Sequence, residues 1–280
     1  MTQQRTYPAG VPSWVDIEHD DVEAAQGFYA ELFGWTYTEA TPPDAPFCYV
    51  VAQLDGQDIG GIGGPREPTG AAGEPTWNTY VAVDDIDAAA SSVEQRGGRI
   101  LDPPADAGEG GRAATCADPL GVRFRLWQAR RRPGAQVTNA PGTWNFSDLH
   151  ATDPAAAAAF YTDVFGWEFS DLGFATMITR PGYGDHLAAT VDPGIRERQS
   201  DPSFPPGFAD AIAWLAPSGD LGPGWHVTFA VADRDETAAL AERLGGTVLS
   251  SEDTDWTRAA LVADPQGGRF TASQFLPPDA

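Results

Sequence analysis

The chain contains no lysine; all 17 of its basic residues are arginines. That excludes a side-chain Schiff base and any low-pKa lysine amine. Cysteine is nearly as scarce. Cys48 and Cys116 are too few for a disulfide framework and lack metal-type spacing, so both are read as free thiols. No apolar run is long enough to span a bilayer, and residues 1–10 show no charged-then-apolar leader, so a cytoplasmic protein is expected. A P-loop, a dinucleotide fingerprint and a Ser-His-Asp order are also missing. Acidic residues outnumber basic ones 40 to 17, giving a net charge of −23. Nucleic acid and anionic membrane are therefore not expected as partners, whereas a small-molecule ligand is, cationic if acid groups line a cleft. Composition does not distinguish a monomer from a homodimer.

What the chain does have is an internal repeat. Phe28-Tyr29-Ala30-Glu31-Leu32-Phe33-Gly34-Trp35 returns as Phe160-Tyr161-Thr162-Asp163-Val164-Phe165-Gly166-Trp167, a shift of 132 (160 − 28). Before the first copy, residues 10–18 alternate as a strand. Val22, Ala25, Phe28, Tyr29, Leu32 and Phe33 then recur at helical spacing, with Asp20 or Asp21 as cap and Gly34 as the stop. Strands are expected at 35–39, 47–54 and 57–62, with Asp55-Gly56 as a hairpin turn. The same order of events runs through 77–127. It runs again from 144, with strands at 167–170, 174–179 and 186–191, and again from 225 to 275. Gly97-Gly98 matches Gly245-Gly246, and Asp118-Pro119 matches Asp264-Pro265. The expected fold is α+β, built of four βαβββ modules at about 11–63, 76–128, 143–191 and 224–276. They are grouped as a first domain (1–130), a linker (131–142) and a second domain (143–280); 63–75 and the longer 192–224 read as Pro/Gly linkers.

The helix ending Phe-Tyr-x3-Phe-Gly-Trp, the helix-Gly-Gly-strand step and Asp-Pro-x-Gly before the final strand resemble the vicinal oxygen chelate superfamily. This is the glyoxalase/bleomycin-resistance/extradiol-dioxygenase family, and within it the chain resembles the tandem-domain glyoxalase-like proteins of actinobacteria. The resemblance implies that two modules pair into a curved mixed sheet around a cleft. It also implies that metal-dependent members ligate a divalent ion from the first and last strands. Counted from the motifs, those positions fall on Trp14, Asn78, Arg125 and Gly60-Gly61 in the first half, and on Phe146, His226, Thr271 and Ala188-Ala189 in the second. Only His226 is a usual ligand, and a divalent site needs three or four converging donors. No metal and no cofactor is therefore expected, and a metal-dependent glyoxalase or extradiol dioxygenase is disfavoured.

Strand alternation instead aims Trp14, Asp16, Asn78, Tyr80, Arg125 and Trp127 into the first cleft, and Phe146, Asp148, His226, Thr228 and Thr271 into the second. Aromatic walls with a few polar groups suit a flat or amphipathic organic ligand. Asp16 and Asp148 sit at matching positions (148 − 16 = 132); each is read as a general base, a counter-ion or a structural partner of an arginine such as Arg125. Asp148 with His226 is the candidate acid–base pair. Two functions remain open at this stage. One is metal-independent binding of an aromatic or cationic metabolite or antibiotic, in the manner of the bleomycin-resistance branch. The other is a cofactor-free isomerase, lyase, cyclase or hydratase of secondary metabolism, with Asp16, Asp148 and His226 as catalytic candidates.

Overall fold

The structure, a computed structural model, describes residues 4–70, 75–173, 175–200, 204–219 and 221–276. Parts of the two expected Pro/Gly linkers, and Phe174 at the start of one expected strand, lie outside them. The first module is β1 (Pro12–Glu18), α1 (Val22–Phe33), β2 (Thr36–Glu39), β3 (Phe47–Leu54) and β4 (Gln57–Pro65). The second is β5 (Trp77–Ala82), α2 (Ile86–Gln95), β6 (Arg99–Asp106), β7 (Gly111–Ala117) and β8 (Arg123–Ala129). Caps follow the sequence signals. The Asp21 carboxylate accepts from the Ala24 amide at 2.9 Å, and Gly34 leaves α1 with φ +76°. Asp55 and Gly56 both take positive φ in the β3–β4 turn.

The third module departs from expectation. It opens with β9 (Trp144–Ala151), α3 (Pro154–Phe165), β10 (Glu168–Asp171) and β11 (Thr176–Thr179), then inserts two short helices, α4 (Tyr183–Thr190) and α5 (Ile195–Arg198). Its last strand is β12 (Ala211–Pro217), inside the segment read as linker, and the expected strand at 186–191 is part of a helix. Tyr183 and Leu187 are buried one turn apart on α4, the helical period that the short apolar run concealed. The fourth module is β13 (Gly224–Ala230), α6 (Arg234–Arg243), β14 (Thr247–Asp253), β15 (Thr257–Ala263) and β16 (Arg269–Phe275).

Two eight-stranded mixed sheets result, in the orders β2-β3-β4-β1-β5-β8-β7-β6 and β10-β11-β12-β9-β13-β16-β15-β14. β1 runs parallel to β4 and β5 parallel to β8, while the hairpins are antiparallel. This is the α+β architecture of two module pairs.

Packing gathers the chain into two compact units. Unit one holds Met1–Trp14, Thr79–Gly134 and Phe146–Trp225; unit two holds Val15–Asn78, Ala135–Asn145 and His226–Ala280. The signature motifs explain the grouping. In unit two the Tyr29 hydroxyl, from the first Phe-Tyr motif, donates to Asp264 Oδ2 at 2.8 Å, and Asp264 belongs to the fourth module's Asp-Pro turn. In unit one Tyr161 of the second motif faces Asp118 of the second module's turn. Each tyrosine ring stacks on the motif tryptophan, Tyr29 on Trp35 at 5.2 Å and Tyr161 on Trp167 at 4.9 Å. The indoles donate to matching carbonyls, Trp35 to Gly142 at 2.7 Å and Trp167 to Gly10 at 2.6 Å. The motif is thus a core device that joins a helix to the turn of a distant module.

The two tyrosine–aspartate pairs differ in one neighbour. His19 Nε2 lies 3.0 Å from Asp264 Oδ2, with both side chains almost fully buried. The Gln266 and Gly268 amides each donate to Oδ1 at 2.9 Å. Burial alone pushes Asp264 up, but hydrogen bonding and charge from His19, with the Tyr29 hydroxyl, hold it below the usual carboxylate range. The position matching His19 is Ala151 (19 + 132). There burial pushes Asp118 up, the Val122 and Leu120 amides oppose it only in part, and Asp118 Oδ2 makes no hydrogen bond of normal geometry.

Glycine matters most at Gly64, where an added Cβ would overlap the backbone carbonyl oxygen of His19. Gly64→Ala is expected to lose the folded protein or at least about 3 kcal/mol of stability, since a backbone atom has no rotamer to escape into. Gly27→Ala, with open space around the α1 site, should gain about 0.5–1 kcal/mol. Urea denaturation of the two variants reads both outcomes.

Candidate functional site

The repeated carboxylates Asp16 and Asp148 sit at matching points of β1 and β9, in different surroundings. In unit two Asp16 is fully buried. Its Oδ2 accepts from the Tyr49 hydroxyl at 3.0 Å and its Oδ1 from the Asn78 amide at 2.9 Å. The strand beside it carries glycine where the ring lies. Asp16 pairs with Gly61 and Glu18 with Gly63, and an added Cβ at Gly61 would strike the Tyr49 hydroxyl. At Gly63 it would meet Phe47 at 2.9 Å and Tyr49 at 3.1 Å. Gly63 and Gly64, read as the start of a linker, therefore continue β4, whose glycines leave room for the Tyr49 and Phe47 rings.

In unit one the matching residues differ at every contact. β12 pairs with β9 at Leu215↔Leu149 and Ala216↔His150, which sets Trp214 beside Asp148 on the same face. Leu149 and Leu215 turn into the core. Trp214 pairs with Met177 across β11, so Met177, Trp214 and Asp148 form a row over three strands. The Trp214 ring lies 6.2 Å from Phe208, which stacks on Phe204 at 5.5 Å. These three aromatic residues are each half-buried. Burial pushes the Asp148 carboxyl up to about 7, opposed by a backbone hydrogen bond from Trp214. Asp148 Oδ1 is sheltered and has no hydrogen-bond partner. A half-protonated carboxyl near neutral pH, edged by aromatic rings, can accept a hydrogen bond, donate one or carry a proton.

Among the other residues singled out from sequence, Tyr80 and Arg125 are register partners on β5 and β8 in unit one. The Arg125 guanidinium donates to the Tyr80 hydroxyl at 2.7 Å and lies 5.4 Å from its ring centre. Trp127 meets the Tyr80 ring edge-on at 6.2 Å, and its indole donates to the Arg132 carbonyl at 2.8 Å. Trp14 is buried on β1 and Phe146 is half-buried on β9. Thr228 and Thr271 are register partners in unit two, where half-buried His226 shares a face of β13 with Thr228. Asp148 belongs to unit one and His226 to unit two.

The donor set does not fit a divalent ion. Correcting the third module's last strand replaces Ala188-Ala189 with Trp214 at the position matching Gly61, so the implied ligand positions still include one usual ligand, His226. Among the described residues, no group of three His, Cys, Asp or Glu side chains is placed to hold a metal. Sequence alone missed Met177, Phe204, Phe208 and Trp214, three of them within the supposed linker. The available signal was Ala-Ile-Ala-Trp-Leu-Ala-Pro at 211–217, a strand-length apolar run ahead of Pro-Ser-Gly.

Comparison with known proteins gives the class. The profile of the Glyoxalase/Bleomycin resistance protein/Dioxygenase superfamily matches residues 13–126, and that of a glyoxalase-like domain matches 146–273. The chain belongs to the glyoxalase/bleomycin-resistance/dioxygenase superfamily, as a tandem of two such domains. It is 34% identical over 280 residues to "Putative glyoxylase CFP32" of Mycobacterium tuberculosis, covering 99% of each chain. It is 32% identical to "Anthracycline biosynthesis protein DnrV" of Streptomyces peucetius, over 96% of this chain and 94% of that one. Among solved structures the Mn(II)-bound glyoxalase from Novosphingobium aromaticivorans aligns with a TM-score of 0.60 at 15% identity, covering 95% of this chain and 82% of that one. The 2,3-dioxygenase LapB from Pseudomonas sp. KL28 gives 0.59 at 12% identity, covering 100% and 96%. At such identities these two likenesses concern the fold. Among the described residues no helix is long and apolar enough to cross a membrane.

Proposed function

We propose that this chain is a metal-independent binding protein for a small, flat organic molecule, seated against the Asp148 face of unit one. One observation carries the reading. A sheltered carboxylate oxygen without a hydrogen-bond partner lies beside the half-buried Trp214–Phe208–Phe204 row. A buried unmatched acceptor costs about 1–3 kcal/mol, which a ligand donor would recover. Aromatic walls favour a planar partner. The name of the Streptomyces relative, an anthracycline biosynthesis protein, makes polycyclic aromatics the first compounds to titrate.

Calorimetric titration with an anthracycline, with and without a chelator, tests this. Binding should survive chelation, and Trp214→Ala should weaken it at least about tenfold through lost ring contact. Loss of binding in chelator, or equal affinity in Trp214→Ala, would sink the assignment. A second reading draws on the Asp148 carboxyl standing at about 7, which suits a general acid or base. On that reading the same face serves a cofactor-free isomerase, lyase, cyclase or hydratase, and turnover would vanish in Asp148→Asn.

A further inference from the structure

The chain contains its own comparison, because the repeat gives one carboxylate side-chain donors to both oxygens and leaves its twin with a sheltered oxygen that has no partner. Strand register makes the correspondence position by position. Gly61 stands opposite Asp16 as Trp214 stands beside Asp148. Val51 pairs with Gly61 as Met177 pairs with Trp214, so the position of Tyr49 two residues earlier is Ala175 in the second half. β2 and β10 agree, since Thr38 pairs with Val51 and Ser170 with Met177, a shift of 132 (170 − 38).

In the first half the protein therefore lays a phenol ring of its own over the glycines and points its hydroxyl at the carboxylate. In the second half the same position holds a methyl group, and the carboxylate keeps an oxygen without a partner. Tyr49 and Asn78, which serve Asp16, are both neutral donors. The second half also adds the Trp214 indole where the first half has bare backbone, giving an entering ring a wall to stack on.

We infer that the Asp148 site takes a hydroxylated aromatic molecule, whose ring hydroxyl donates to Asp148 as Tyr49 donates to Asp16. The inference rests on the Asp148 face being the binding site, and it adds the chemical class of the ligand: a phenol or larger hydroxyaryl, selected by its hydroxyl rather than by a positive charge. It also sets the stoichiometry at one molecule per chain, because Tyr49 already occupies the matching place beside Asp16.

The test compares 2-naphthol with its methyl ether, 2-methoxynaphthalene, by calorimetry on the full chain. The two share a ring system and differ in the donor. The wild type should bind one naphthol per chain, at least about tenfold more tightly than the ether, the worth of a hydrogen bond to a charged group. Asp148→Asn should cut that preference to under about threefold. Ala175→Tyr, which copies the first half's own phenol into the second, should abolish naphthol binding while keeping a cooperative melt. If Ala175→Tyr does not fold, the ligand pair on wild type and Asp148→Asn decides alone. Equal affinity for naphthol and ether, with both weakened by Trp214→Ala, overturns the hydroxyl rule and leaves the binding site standing. Undiminished naphthol binding in a folded Ala175→Tyr overturns the rule as well. Failure of both compounds to bind overturns the rule together with the binding reading.

Discussion

Asp148→Asn is expected to melt several degrees above the parent protein at pH 8, and to lose that advantage as the pH is lowered toward 4. Folding carries the Asp148 carboxyl from its ordinary value of 3.8 up to about 7. A group whose folded pKa is raised contributes most below its unfolded pKa and loses that contribution as pH rises through the folded one. Here the window is 3.8 to about 7. Each pKa unit corresponds to about 1.4 kcal/mol, so the full shift bounds the effect at about 4 kcal/mol. Partial exposure of the side chain and screening reduce this to about 1–2 kcal/mol. For a chain of this size that is about 2–4 °C per kcal/mol in the melting temperature. The neutral amide avoids the ionisation cost, and the measurement is a thermal melt at several pH values. A flat difference across pH would contradict the assignment. The same variant should bind hydroxyaryl ligands more weakly, the usual trade between stability and function at a binding site. Wild-type binding of a neutral phenol should strengthen as pH rises through about 7, because the ionised carboxylate is the better acceptor.

The second large effect lies in the paired turns. Asp264→Asn should destabilise the protein by about 3 kcal/mol at pH 7, whereas Asp118→Asn should change stability by less than about 1 kcal/mol, and in the favourable direction. Asp264 is held low, so its contribution is present above the ordinary carboxylate pKa and is lost as pH falls through the depressed value. Asp118 is held high, so the ionised form is tolerated rather than stabilised at pH 7. The neighbour that separates them is His19, absent from the other copy as Ala151. Urea denaturation at pH 7 and at about pH 2, below the ordinary value of 3.8, should show the Asp264→Asn penalty shrinking at the lower pH. Equal penalties for both variants at pH 7 would contradict the role given to His19.

Most of the architecture was legible because the repeat is local and periodic. The caps at Asp21 and Gly34, the Asp55-Gly56 turn and the inward alternation of β9 and β13 all come from spacing within a few residues. Two things escaped. The insertion after β11 displaced the third module's last strand, and 186–191 had the right distance from the preceding hairpin to be mistaken for it. With that strand went Trp214 and Phe208, and hence the aromatic half of the candidate site. Gly63 and Gly64 looked like the start of a linker, because their purpose, room for the Phe47 and Tyr49 rings and the His19 carbonyl, concerns neighbours far along the chain. Asp16 and Asp148 were both found, but only three-dimensional contacts separate the fully partnered twin from the one with an unmatched oxygen.

The grouping of modules also bears on the order in which the molecule can assemble. Unit two needs the helix at the start of the chain and the final β-hairpin together, and its Tyr29–Asp264 bond spans 235 residues. Unit one draws on nothing beyond Trp225. On the ribosome, unit one can close while about the last fifth of the chain is still being made. The buried face of α1, with Phe28 and Tyr29, must wait exposed until α6 and the last Asp-Pro turn emerge. That interval is when the nascent chain most needs shielding from aggregation.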